Sequence, residues 1–213
     1  MASHAVLESL PSQARELLRL ECASPPNRFG AEFFDEHLVV VVDFALVLAR
    51  RLGADPLVVE VAAWLHDRAA VLDFGTLPTH ARDGAALARH WLARADIPSD
   101  ICEGIARCIE THGAPTTQEP TTPEQRCLSN ADVLSHITRP AYWYWYLYQV
   151  RNMDLAGARA WYRSRLAQWE RLEPAARELV EAEYSTLRRL LDATDASLAD
   201  PHFHRRVHEA IAT

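Results

Sequence analysis

Apolar residues recur at three- and four-residue spacing along most of the chain, the period of a helix that buries one face. The pattern predicts helices near 3–21, 30–52, 56–67, 79–95, 99–112, 123–138, 140–152, 155–171, 174–193 and 198–211. The segment from Phe33 to Arg51 has almost no polar side, since Leu38, Val39, Val40, Val41, Val42, Phe44, Leu46, Val47 and Leu48 surround it. Such a helix belongs at the centre of a bundle. Valine-rich runs also suit strands, but this one is long, lacks a hairpin turn and ends at Arg-Arg-Leu-Gly. The punctuation agrees with helices. Asp55-Pro56 pairs a capping carboxylate with proline at the first helical position, and Thr122-Pro123-Glu124-Gln125 is a capping box. Thr79 and Ser99 are further candidate caps, and Gly53 and Gly113 stand where helices stop. Gly113 to Thr122 is the clear loop. The fold class read from these signals is all-α, with no internal repeat.

Composition narrows the setting. A chain of 213 residues, 49% hydrophobic and 24% charged, suits one globular domain, read over 1–213. It is long enough to bury a core without disulfide staples. Cys22, Cys102, Cys108 and Cys127 contain no Cys-x-x-Cys pair and follow no secretion signal, so Cys102, Cys108 and Cys127 read as buried, inert thiols. The longest apolar run, near Val39 to Ala49, is broken by Asp43 and too short for a bilayer. No membrane partner is expected, and a cytoplasmic location follows by default. The net charge of −7 offers no basic footprint, so nucleic acid is not an expected partner either.

The chemistry gathers around His66-Asp67, at the end of the apolar helix VAAWLHDRAA. Neighbours on a helix diverge, yet at its last turn both can reach one ion. The pair has company: His37 lies on the central helix, His80 opens HARDGAALA, His112 closes IARCIETHG, and Asp132 lies in SNADVLSH. Imidazole nitrogens and carboxylate oxygens suit a divalent transition metal, Mn, Fe, Co, Ni or Zn, and the lack of Cys ligands argues against a structural zinc site. Two adjacent ions would need about this ligand set, with one carboxylate shared.

In this order the residues resemble the HD-domain superfamily of metal-dependent phosphohydrolases. Its pattern is His, then His-Asp, then a distant Asp on separate helices of a bundle, matched by His37, His66-Asp67 and Asp132. The resemblance covers about residues 30–140, leaving about 141–213 as a C-terminal helical cap. It implies that His37, His66, Asp67 and Asp132 hold one ion, and that Asp67, His80 and His112 hold a second where two are bound. It also implies hydrolysis of a phosphoester in a nucleotide or another small phosphorylated metabolite, by attack of metal-bound hydroxide. Many relatives follow the pair with a short segment ending in a substrate-binding Lys. Here the segment reads Arg68-Ala69-Ala70, and Arg68 or Arg82 becomes the candidate phosphate holder.

Other residues compete for roles. His136, one helical turn beyond Asp132, is a candidate to orient that carboxylate or a substrate. His90, Asp35, Asp43 and Glu36 read as surface or ordinary helix positions, and His202, His204 and His208 as exposed. The run Tyr142-Trp143-Tyr144-Trp145-Tyr146-Leu147-Tyr148 reads as core packing or a subunit interface, which allows a homodimer, with one side walling the pocket. Two other functions stay open: a di-iron oxygenase on the same ligands, and a domain that binds a nucleotide or partner without turnover.

Overall fold

The computed structural model describes residues 4–113, 119–199 and 202. These residues form helices and turns, with no strand among them. In chain order the helices are α1 (His4–Cys22), α2 (Val39–Leu52), α3 (Pro56–Leu65), α4 (Arg68–Leu72), α5 (His80–Arg94), α6 (Ser99–Thr111), α7 (Pro123–Thr138), α8 (Pro140–Trp145), α9 (Leu155–Leu166) and α10 (Pro174–Ala199). The predicted helix over 198–211, with His204 and His208, lies almost wholly outside the described residues. His202 is exposed.

The bundle is organised on α2. It packs most extensively against α7 and next against α3, while α5 and α6 pack on each other and α6 also on α3. Leu38, Leu48, Leu65, Leu92, Ile105, Ile109, Leu128 and Leu134 fill the common core. The sequence placed α2 at the centre, but one edge of it reaches solvent. Asp43 and Val47 are exposed, because positions four apart fall on the same side of a helix.

Several predicted caps hold. The Asp55 side chain accepts from the amides of Leu57 and Val58, and Thr122 and Gln125 exchange both bonds of a capping box. Gly53 closes α2 in the left-handed region at φ 68°. Two caps differ. Ser99 is already inside α6, with Pro98 at its cap, and Thr79 turns its hydroxyl to Asp83 instead of to the amides of α5. Downstream, Asn130 on α7 accepts from the backbone amide of Glu173 at 2.8 Å, which ties the start of α10 to the bundle. No helix among the described residues is long and apolar enough to cross a membrane.

Candidate metal centre

Three local breaks in regular structure aim the candidate side chains inward. His37 lies in a π-helical turn, Phe34–Leu38, that precedes α2, and such wide turns recur where a side chain must be re-aimed. Helix α3 stops at Leu65, and Asp67 takes φ −101°, ψ 6° before α4 begins. That kink lets two consecutive side chains meet one centre, as straight helical geometry would not. Helix α5 presses close to it at Gly84, where a Cβ would stand 3.1 Å from the carbonyl oxygen of His66 and 3.3 Å from Ile109. The missing side chain lets the first residue of α5, His80, reach Asp67.

The six residues converge. Asp67 uses its two oxygens on two sides. Its Oδ2 lies 3.3 Å from His37 Nε2 and 3.4 Å from His66 Nε2, while its Oδ1 lies 3.3 Å from His80 Nε2 and 3.5 Å from His112 Nε2. Asp132 Oδ1 joins the first side, 3.6 Å from His37 Nε2. On each side two imidazole Nε2 atoms stand 3.1 Å apart, His37 with His66 and His80 with His112.

Hydrogen bonds at the far side of each ring fix which nitrogen is free. His66 Nδ1 donates to the carbonyl of Ala63 and His80 Nδ1 to that of Leu77, both at 2.7 Å, and His112 Nδ1 donates to Ile109. A carbonyl only accepts, so each Nδ1 carries a proton, and the neutral form of each ring has its Nε2 lone pair toward the centre. Without a metal ion the carboxylates draw a proton there instead: burial opposes it, but Asp67 and then Asp132 raise His66 to about 9. His37 Nδ1 is 2.9 Å from the hydroxyl oxygen of Ser135, which in turn donates to the Asp132 carbonyl at 2.7 Å. Sequence reading passed over Ser135. Its signal was its place one turn from Asp132 on the same helix.

The electrostatics match a cation site. For Asp67, burial opposes ionisation, but His66, His112 and His37 outweigh it and hold the carboxyl well below its usual range. Burial also opposes Asp132, and His136 and His37 still bring it down to about 2. The donor set suits transition metals. Metal–nitrogen bonds of about 2.0–2.1 Å meeting near a right angle put donor atoms about 3 Å apart. The clusters His37–His66–Asp132 and His66–Asp67–His112 both hold their donor atoms within 4.8 Å of one another.

The centre opens into a cavity of about 190 Å3 lined by Asp67, Asp132, His80 and His136, and by aromatic and cationic groups from the C-terminal segment. His136 donates from Nδ1 to the Asp132 carbonyl at 2.8 Å and stacks on Trp143 at 4.3 Å. Burial pushes it down to about 3, Asp132 opposing and Arg165 assisting, so the ring is neutral. Of the aromatic run, Trp143 and Tyr146 wall this cavity, while Tyr142 is buried and donates to the Phe29 carbonyl at 2.9 Å.

The two candidate phosphate holders lie elsewhere. Arg68 is forked onto Glu21 of α1, with its Nη2 2.7 Å from Oε1, and does not line the cavity. Arg82 is exposed and pairs with Asp83 at 2.9 Å. The cavity is instead lined by Arg151 and Arg165, which no sequence motif marked. Glu36 pairs with Arg139 at the surface, and His90 is exposed.

Residues 34–137 match the HD domain family, and that span holds all six converging residues. The chain carries an HD domain. The crystal structure of Bacillus subtilis YpgQ in complex with ADP superposes with a TM-score of 0.60 over 89% of this chain and 99% of that one, at 19% identity. That likeness speaks for the fold. No curated protein sequence matches the chain. HD domains generally belong to metal-dependent phosphohydrolases and bind divalent metals, as the donor set here is suited to do.

Proposed function

We propose that the HD centre hydrolyses a phosphoester or phosphoanhydride of a nucleotide or another small phosphorylated metabolite. The observation that carries this reading is Asp67, whose two oxygens face two imidazole pairs at the floor of a cavity whose other wall is cationic. His37, His66, Asp67 and Asp132 would hold one divalent ion, and Asp67, His80 and His112 a second. Ions bound there supply an activated water and polarise a phosphoryl oxygen.

The chain's own residues do the rest. Asp67 fixes the geometry and charge at the reacting position from both sides. The pinned Nδ1 atoms keep four Nε2 atoms aimed inward, so little reorganises during reaction. His136 is neutral and suits a hydrogen-bond acceptor for substrate or water. Trp143, Tyr146 and Phe29 exclude bulk water from one side of the cavity, which strengthens every charge interaction inside. ADP bound to the structurally similar YpgQ favours a nucleotide among the phosphorylated substrates. The same donors suit a pair of irons and oxygen chemistry, but the arginine-lined wall favours an anionic substrate.

Asp67→Asn keeps the volume and removes the charge. Its activity on a panel of phosphomonoesters, phosphodiesters and nucleotides should fall at least about a hundredfold, the scale of one strong catalytic electrostatic contribution, with an unchanged helical circular dichroism spectrum. Activity that survives in Asp67→Asn rejects the mechanism. A panel silent for wild type loaded with each of Mn, Fe, Co, Ni and Zn rejects the hydrolase.

A further inference from the structure

We propose that Arg151 and Arg165 form a second anion subsite that selects substrates with two linked anionic groups, phosphoanhydrides over simple phosphomonoesters. The proposal rests on the hydrolase reading for the first group, which the His–Asp centre would receive. It goes beyond that reading in assigning the second group to residues outside the 34–137 match.

Arg165 is set up to bind something. Its guanidinium lies over the Trp161 ring, 4.7 Å from the centroid, and the residue is partly buried. Its Nε is buried without a hydrogen-bond partner. A charged donor left unsatisfied in that setting carries the desolvation cost of a missing acceptor, and an anion entering the cavity would meet it. Neither Arg165 nor Arg151 forms an ion pair with a carboxylate among the described residues, whereas Arg68, Arg82, Arg89, Arg107 and Arg126 all do.

The position of Arg165 relative to the centre follows from a stack of rings. Trp161 stacks on Trp143 at 5.6 Å, Trp143 stacks on His136 at 4.3 Å, and His136 is bonded to the backbone of Asp132. This ladder holds the cation on the cavity wall at a fixed remove from the carboxylates, and Arg165 is near enough to lower the pKa of His136. Arg151 enters the same cavity from the π-helical end of α8, beside Tyr146, and is exposed at the rim. One guanidinium at the wall and one at the rim leave the floor to a first phosphoryl group. With two divalent ions in the centre, partly offset by Asp67 and Asp132, the two guanidinium groups bring the cavity to more positive charge than one phosphate dianion balances. Planar guanidinium groups suit the bidentate contacts that a second phosphate offers.

The test compares wild type with Arg165→Met, Arg165→Lys and Arg151→Met, each checked for unchanged metal content and melting temperature. Isothermal titration calorimetry with ADP on the metal-loaded protein should show binding weakened about tenfold or more in Arg165→Met and Arg151→Met, the worth of one charge-assisted hydrogen bond. Arg165→Lys keeps the charge and loses the fork, and should fall between. KM for phenyl phosphate should change less than about threefold in all three. Arg151 is exposed, so its variant reads out the subsite even where Arg165→Met disturbs the Trp161 packing. Undetectable ADP binding in wild type, unchanged ADP binding in Arg151→Met and Arg165→Met, or equal losses for ADP and phenyl phosphate would each overturn the subsite. Arginine-dependent ADP binding without turnover of either compound would leave the subsite standing and remove the hydrolase instead.

Discussion

The Nε2 atoms of His37 and His66 face each other across 3.1 Å, and each ring has its Nδ1 committed on the opposite side, to Ser135 and to the Ala63 carbonyl. Two nitrogens at that separation need a proton or a metal ion between them, and Asp67 and Asp132 beside them favour the more highly charged cation. The same arrangement repeats at His80 and His112. Gently purified protein is therefore expected to hold a divalent transition metal by elemental analysis. An ion present at a hundred- to a thousandfold over its Kd stabilises the fold by about 3–4 kcal/mol, so chelation should lower Tm by about 5–15 °C. Acidification should release the ion as protons reclaim the ring nitrogens. A melting curve unmoved by chelator and by Mn, Fe, Co, Ni or Zn would remove the metal assignment.

Ser135 orients His37 and is itself anchored to the Asp132 carbonyl. Ser135→Ala should weaken metal affinity about 10–100-fold, the usual loss when a partner behind a ligand is removed. Competition with a fluorescent chelator reads this directly. An unchanged affinity would show that packing alone, including the Phe33 ring stacked 4.8 Å from His37, holds the imidazole in place.

The sharing of Asp67 sets an order among the ligand variants. His80→Ala and His112→Ala touch only the Oδ1 side and should remove about one ion of two, whereas Asp67→Ala should remove both. Metal counted by mass spectrometry after desalting separates the two outcomes. Equal loss from all three would mean a single ion.

Arg68 follows the His-Asp pair directly but turns to Glu21, at 2.7 Å, where it fastens α4 to α1. Arg68→Ala should cost about 1.5–3 kcal/mol of stability, the range for hydrogen bonds to a charged group, and leave KM within about twofold. A raised KM with an unchanged Tm would return Arg68 to substrate binding.

Burial pushes the thiols of Cys22, Cys108 and Cys127 up to about 12. An unfolded thiol ionises near 8.5, so between about pH 8.5 and 12 the unfolded chain has lost protons that the native one keeps. The sign is then fixed: stability is intact below about pH 8.5 and falls as pH rises through this window, by up to about 1.4 kcal/mol per pH unit for each thiol. Urea midpoints at pH 8 and pH 10 should show the decline, and a triple Cys→Ala variant should flatten it. Native protein at pH 8 should label with a thiol reagent at Cys102, the partly exposed one, before the other three.

The helical class, the capped starts of α3 and α7, and the six residues that converge at the site were all readable along the chain. Each depends on local rules: a 3.6-residue period, a carboxylate or hydroxyl before an amide-bearing first turn, and a cluster of N and O donors in a familiar order. Two matters were decided only by the fold. The division of Asp67 between two imidazole pairs depends on a kink at 66–67 and on the approach of α5 over Gly84, and neither leaves a periodic trace. The placement of the arginines differed from the expectation. Arg68 and Arg82 stood beside motif residues in sequence, but side chains on adjacent helical positions diverge, and each met a nearby carboxylate first. Arg151 and Arg165 came to the cavity from helices that follow the HD core, through aromatic contacts spanning residues far apart in the chain. Local chemistry is written in neighbouring residues, whereas the company a charge keeps is decided by which surfaces the core packs together.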